Sequence, residues 1–233
     1  MIRCDWGLAG LVAQRPHVAA IVIVDVLSFS TAVDVATAAG ARVIPFPWGD
    51  ADAASAEAER RHAKLALPRS AAGGQFSLSP ASLKTAAPGD LILLPSPNGS
   101  RLTVEAGDGP IFAACLRNAA AVAAAVRAEV GMAGVAVIAA GERWPDGSLR
   151  PAIEDLLGAG AVIAALDGPL TPEAEVARHA FEAAGRRLPD LIRSCVSGQE
   201  LIVRGFAEDV EIAVDIGESG TAPRLRQGIY HAG

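Results

Sequence analysis

The sequence predicts an α/β fold: a layered sheet of mainly parallel strands flanked by helices, with a small C-terminal α+β extension. Three observations carry this reading. Short, continuous, β-branched apolar runs, Val18 to Leu27 foremost, suit strands buried on both faces, as parallel sheets require. Such runs alternate with alanine-rich helical segments through Leu166. Four of the strand-like runs end abruptly in a polar cluster just before helical sequence begins. They read Asp25-Val26-Leu27-Ser28-Phe29-Ser30-Thr31, Ser96-Pro97-Asn98-Gly99-Ser100-Arg101, Cys115-Leu116-Arg117-Asn118, and Gly141-Glu142 followed by Glu154-Asp155.

Taken in order, Val18 to Leu27 is a strand, and Ser30 or Thr31 caps a helix that runs to Ala39 and stops at Gly40. Arg42 to Phe46 is a second strand ended by Pro47, and Asp50 to Leu67 an exposed helix that begins with acids. Residues 68–89, rich in Pro, Gly, Ser and Ala, form a long loop and a candidate active-site lid. Leu91 to Leu94 and Pro110 to Ala114 are short strands, Ala119 to Val130 is a helix, and Val135 to Ala140 is a strand. Glu154-Asp155 opens a helix over Leu156 to Leu166. In the C-terminal subregion, 169–233, Pro172 to Ala184 is an amphipathic helix, Leu188 to Cys195 a shorter one and Val210 to Ile216 a last strand.

A chain of 233 residues that is 51% apolar can bury a sizeable core, and it is read as a single domain spanning 1–233. Its net charge of −6 and lack of any basic run argue against a nucleic-acid partner, whose phosphates require clustered Lys and Arg. Cys4, Cys115 and Cys195 are odd in number and widely spaced, which indicates neither a disulfide framework nor a zinc site. With no apolar leader and no run long enough to span a bilayer, a cytoplasmic protein with no membrane partner is expected. A homo-oligomer is left open.

In open α/β sheets the carboxyl ends of strands and the amino ends of the following helices share a crevice that favours anions. The four junctions bring hydroxyls, an amide, an arginine and carboxylates to such a crevice, a set suited to a phosphorylated substrate and a divalent cation. The usual phosphate loop, nucleophile elbow, zinc-binding helix and dinucleotide fingerprint are all missing from the chain. Its histidines, His17, His62, His179 and His231, are scattered and read as surface residues.

Asp25 lies near the end of the most apolar strand, where a carboxylate needs a partner. Backbone N–H groups of the next turn could satisfy it, or it could be a magnesium ligand or catalytic carboxylate. Asn98-Gly99-Ser100-Arg101 offers N–H groups, a hydroxyl and a guanidinium to an anion, although Asn-Gly is also an ordinary turn. Asn118 suits a helix cap or a ligand contact. Glu154 and Asp155 suit the dipole of a first helical turn or a metal, and adjacent helical residues diverge by about 100°, so at most one would ligate directly.

Taken together and in this order, these segments resemble the 2-phosphosulfolactate phosphatase family, magnesium-dependent phosphatases associated with coenzyme M biosynthesis. The family's D-V-L-R-A-[ST]-[ST]-T motif looks like Asp25 to Thr31, its T-T-N-G-[ST]-R loop like Ser96 to Arg101, its L-N-A-x-A-V helix, with a changed spacing, like Leu116 to Val122, and its glycine-then-E-D-x-x-x-A-G segment like Gly141 and Glu154 to Gly160. Two departures stand out: Ser28 replaces the arginine after Asp-Val-Leu, and a G-N-S-P loop survives only as Leu78-Ser79-Pro80. The resemblance implies hydrolysis of a small anionic phosphomonoester, 2-phosphosulfolactate or a related 2-phospho-acid, with Mg²⁺ as cofactor. On this reading Asp25, Glu154 and Asp155 are the catalytic and metal-side carboxylates. Ser30, Thr31, Asn98, Gly99, Ser100, Arg101 and Asn118 then cradle the substrate. The rival readings are a non-catalytic binder of a phosphorylated or carboxylated metabolite, and a structural α/β domain whose polar strand ends merely cap helices.

Overall fold

The computed structural model describes residues 1–71 and 76–233, so the middle of the expected lid at 68–89 lies outside the described residues. The chain opens with β1 (Ile2–Trp6), α1 (Gly7–Gln14), β2 (Ala20–Val24), α2 (Phe29–Ala38), β3 (Arg42–Pro47), α3 (Ala51–Arg61) and β4 (Lys64–Leu65). The short α4 (Pro80–Leu83), then β5 (Leu91–Ser96), α5 (Gly99–Glu105), β6 (Ile111–Ala114), α6 (Ala119–Val130) and β7 (Val135–Ala139) continue the alternation. A small hairpin, β8 (Glu142–Arg143) and β9 (Leu149–Arg150), leads into α7 (Ile153–Ala165). The C-terminal part holds α8 (Pro172–Ala184), α9 (Leu188–Ser194), α10 (Val196–Val203), α11 (Ala207–Ala213), β10 (Arg224–Arg226) and β11 (Ile229–His231).

The described residues build a nine-stranded sheet in the order β1-β7-β2-β6-β10-β11-β3-β5-β4. β1, β7, β2 and β6 form one parallel block, and β3, β5 and β4 form another. The hairpin β10–β11 stands between them, antiparallel to each block and joined to each by one residue pair, Arg224 with Phe112 and Tyr230 with Val43. Three antiparallel steps separate β6 from β3, so the two blocks run in opposite directions. The carboxyl end of β2 nonetheless meets that of β5, where the N–H of Gly99 reaches Asp25, and both α2 and α5 pack on strands of both blocks.

Every residue of β2 is buried, and alternate residues feed separate cores on the two faces. Val22 and Val24 join the large cluster with α6, α7 and α8, whereas Ile21 and Ile23 pack with Leu11 of α1 and Leu102 of α5. In the second block Val43 and Ile92 meet α2, and Ile44 and Leu93 meet Ala54 and Ala58 of α3. This two-sided burial is why the strands read as unbroken apolar runs.

Several boundaries and elements differ from the sequence reading. The helix expected over Asp50 to Leu67 ends at Arg61, where His62 adopts φ 51°, and the chain then adds the edge strand β4. The strand expected over Val210 to Ile216 is instead the helix α11, whose buried Asp209, Val210, Ile212 and Ala213 follow helical spacing. Ser30 and Thr31 are not caps: α2 starts at Phe29, and their hydroxyls donate to Ile23 O in β2 and to Val26 O in the turn after it. The described part of 68–89 is partly ordered against the body, with Ser77, Leu78, Ser79 and Leu83 buried.

Candidate active site

The two halves of the sheet meet at Asp25. Leaving β2, the chain makes a tight turn in which Ser30 Oγ donates to Ile23 O (3.0 Å) and accepts from Asp25 N (3.1 Å), while Thr31 Oγ1 donates to Val26 O (2.6 Å). That turn aims the first N–H of α2, from Phe29, at Asp25 Oδ1 (3.1 Å). From the other block, the first N–H of α5, from Gly99, reaches Asp25 Oδ2 (3.0 Å). One carboxylate is thus clasped between two helix amino ends, where N–H groups and dipoles favour negative charge. The approach requires glycine: a Cβ at Gly99 would lie 2.2 Å from Phe29 Cδ1.

Asp155 stands behind this turn. Its Oδ1 accepts from Val26 N (2.7 Å) and its Oδ2 from Gly141 N (2.8 Å), so it ties the Asp25 turn to the end of β7. Its neighbour Glu154, diverging around the helix, is buried and accepts from Cys195 Sγ at 3.3 Å. Glu142, on the strand just beyond Gly141, accepts from Asn98 Nδ2 at 3.0 Å. Gly141 itself adopts φ 67°, and a side chain there would press on Leu149 and on Arg150 O.

These carboxylates repel one another across a desolvated space. Burial, with the charge of Glu142, raises Asp25 to about 7 despite its two N–H donors and nearby Arg69. Burial, then the charges of Asp25 and Glu154, holds Asp155 well above the ordinary carboxylate range against the opposing N–H bonds of Val26 and Gly141. Glu142 is raised as well, chiefly by burial. Such crowding is relieved by a cation.

Of the residues expected to cradle a substrate, Ser30, Thr31, Ser100 and Asn118 are all fully buried. Their polar atoms bond the main chain: Ser100 Oγ donates to Leu94 O (2.8 Å), and Asn118 Oδ1 accepts from Cys115 N (2.8 Å). They shape the turns. Asn98 and Arg101 instead line a cavity of about 170 Å³ with Trp6, Glu142 and Arg143. Gly99 contributes its N–H.

Two residues absent from the expected set belong here. Glu142 lies at a junction noted in the sequence, and a carboxylate one residue past a strand-ending glycine was its only signal. Arg69, from the loop after β4, donates through Nη2 to Ser28 Oγ (3.3 Å) and to Leu78 O (3.3 Å), and through Nε to buried Asp209 (3.1 Å). Asp209 also holds the α4 turn by accepting from Ser79 Oγ and Ala81 N. A guanidinium therefore stands at Ser28, the position at which the resembled motif carries its own arginine.

Could this site hold Mg²⁺? Among the described residues no group of three or more His, Cys, Asp or Glu side chains is arranged to hold a metal ion. Mg²⁺, however, keeps several waters and binds through one or two carboxylates together with substrate phosphate oxygens. Asp25 and Glu142 fit that role: each is partnered by donors that leave oxygen lone pairs open, and each lies in the other's field. Asp155, with both oxygens engaged by backbone N–H groups, fits a positioning role better than direct ligation.

The family model described as 2-phosphosulpholactate phosphatase matches residues 10–228. A curated relative from Methanothermobacter thermautotrophicus, named 2-phosphosulfolactate phosphatase, is 35% identical over 145 residues, which cover 60% of this chain and 58% of the relative. The match thus spans a little over half of that relative's length. No described helix is long and apolar enough to cross a membrane. With a match that takes in every strand-end motif around Asp25, the chain belongs to the 2-phosphosulfolactate phosphatase family.

Proposed function

We propose that this protein is a magnesium-dependent phosphatase that hydrolyses a small phosphomonoester, 2-phosphosulfolactate or a related 2-phospho-acid. The observation that carries the reading is the Asp25 carboxylate, buried between two helix amino ends and crowded by Glu142. Family membership and the name of the relative support the substrate class.

In the overall reaction water oxygen bonds to phosphorus, the ester P–O bond breaks, and the leaving alkoxide gains a proton. Bound at Asp25 and Glu142, Mg²⁺ would supply charge neutralisation at the phosphoryl oxygens. The chain's own residues do the rest. Gly99 and Phe29 fix Asp25 by their N–H groups, and Asp155 fixes the turn that carries it. Asn98 holds Glu142 in place, and Arg101 and Arg69 present guanidinium groups to the anion from opposite sides of Glu142.

The non-catalytic alternative was motivated by the serine at position 28, and the Arg69 guanidinium bonded to that serine weighs against it. Three buried free cysteines suit a reducing cytoplasm. The test is phosphate release from a panel containing 2-phosphosulfolactate, phospholactate and simple sugar phosphates, with Mg²⁺ or EDTA. Chelator-sensitive release that favours the 2-phospho-acids is expected; release from none of them would overturn the reading.

A further inference from the structure

We propose that a second anion subsite lies beside Asp25, in the small cavity between the β2–α2 turn and α10, and that it takes a second acidic group of the substrate, a sulfonate or carboxylate. The proposal rests on the phosphatase reading for the phosphoryl half of that substrate.

The cavity, about 70 Å³, is the size of one such group and is lined by Ser28, Arg69, Ser197 and Arg204 together with Glu142 and Glu200. Two guanidinium groups converge on it. Arg69 and Arg204 both lie against the ring of Phe206, at 5.6 and 5.9 Å from its centroid. Arg69 is held by Asp209 and by Ser28, whereas Arg204 makes no ion pair among the described residues. Ser197, at the amino end of α10, is only 5% exposed, and its Oγ has no hydrogen-bond partner, a donor buried without use unless a ligand accepts from it.

The acids in the wall are already engaged. Glu200 pairs with Arg150 at 3.1 Å, and Glu142 accepts from Asn98 at 3.0 Å. Glu142 also lines the cavity that holds Arg101, so it separates the two pockets. A phosphate on one side of Glu142 and a second acid on the other would use both. An ester lacking the second acid would leave Arg204, which is exposed, to water and the buried Ser197 hydroxyl unpaired.

Phosphate release is measured for wild type and Arg204→Gln with 2-phosphosulfolactate and with glycerol 2-phosphate, whose secondary phosphate sits between two neutral arms. The ratio of kcat/KM for the acidic over the neutral ester is expected to fall about tenfold or more in Arg204→Gln, mainly through KM, and to fall less in the charge-preserving Arg204→Lys. Since Arg69→Gln alone would strand buried Asp209, the double variant Arg69→Gln/Asp209→Asn is the companion, with the same expectation. A ratio unchanged in both variants overturns the proposal. If wild type releases phosphate from neither ester, it is the phosphatase reading that has failed, and calorimetric titration with sulfolactate then decides the subsite. Binding about tenfold weaker in Arg204→Gln sustains it; equal binding in the two proteins, or no binding to wild type, overturns it.

Discussion

At Asp25 two opposing effects act on one side chain. Helix amino ends and N–H donors favour the carboxylate, burial and Glu142 favour the acid, and burial prevails. The geometry depends on Gly99 having no side chain. Gly99→Ala would drive a methyl into Phe29 and push the N–H of residue 99 off Asp25. We expect urea denaturation to show a loss of about 1–3 kcal/mol, the usual cost of overpacking, with a larger relative loss of phosphate release. Asp25 and the Asn98-Gly99-Ser100-Arg101 cluster were legible in the sequence because polar residues directly after a buried strand are conspicuous. That Ser30, Ser100 and Asn118 bond to main chain was not legible, since a hydroxyl in sequence does not disclose its acceptor. Arg69 lay in a loop without periodicity, and its partner Asp209 is 140 residues away.

Among the elements, the hairpin of β10 and β11 bears on the whole sheet although each strand is three residues long. It joins the two parallel blocks, and its Tyr230 is fully buried, bonded to Thr103 Oγ1 at 2.9 Å and set edge-on to Phe29, the residue that starts α2. Truncation after Gly220 would therefore remove the seam and open the apolar edges of β6 and β3. The expected outcome is loss of a cooperative melting transition; a shortened chain that melts as the full one does would refute this role. Such brief strands give too few residues for a period-two pattern to register. At α11, Val210, Ile212, Val214 and Ile216 alternate as a strand would, yet Val210 and Ile212 are buried by a helix packed on α4 and α10, and Ile216 lies beyond its end and is exposed. The longer elements, α6 and α8, matched their expected spans because their helical patterns run for three turns or more.

Over the whole molecule, the alternation of buried strands and helices was legible and the joining of two opposed parallel blocks was not, because the joint is a hairpin that the sequence scarcely signals. The parallel pairing of β2 with β7 concentrates Asp25, Glu142, Glu154 and Asp155 in one desolvated region, and stability should depend on pH accordingly. Asp25 and Asp155 are raised in the folded state, so between about pH 4 and 7 the folded chain binds more protons than the unfolded one. Their contribution is fully present below the ordinary carboxylate range and is lost as pH rises through about 7. The melting temperature of wild type relative to Asp25→Asn is thus expected to decline from pH 4.5 to 7.5, and saturating Mg²⁺ should lessen the decline; a flat difference would contradict the repulsion. The most direct test of the account is phosphate release from 2-phosphosulfolactate by wild type and Asp25→Asn, side by side with Mg²⁺ and with folding verified by melting. The folded variant is expected to lose at least about a thousandfold in kcat. Activity retained within about tenfold of wild type would contradict it.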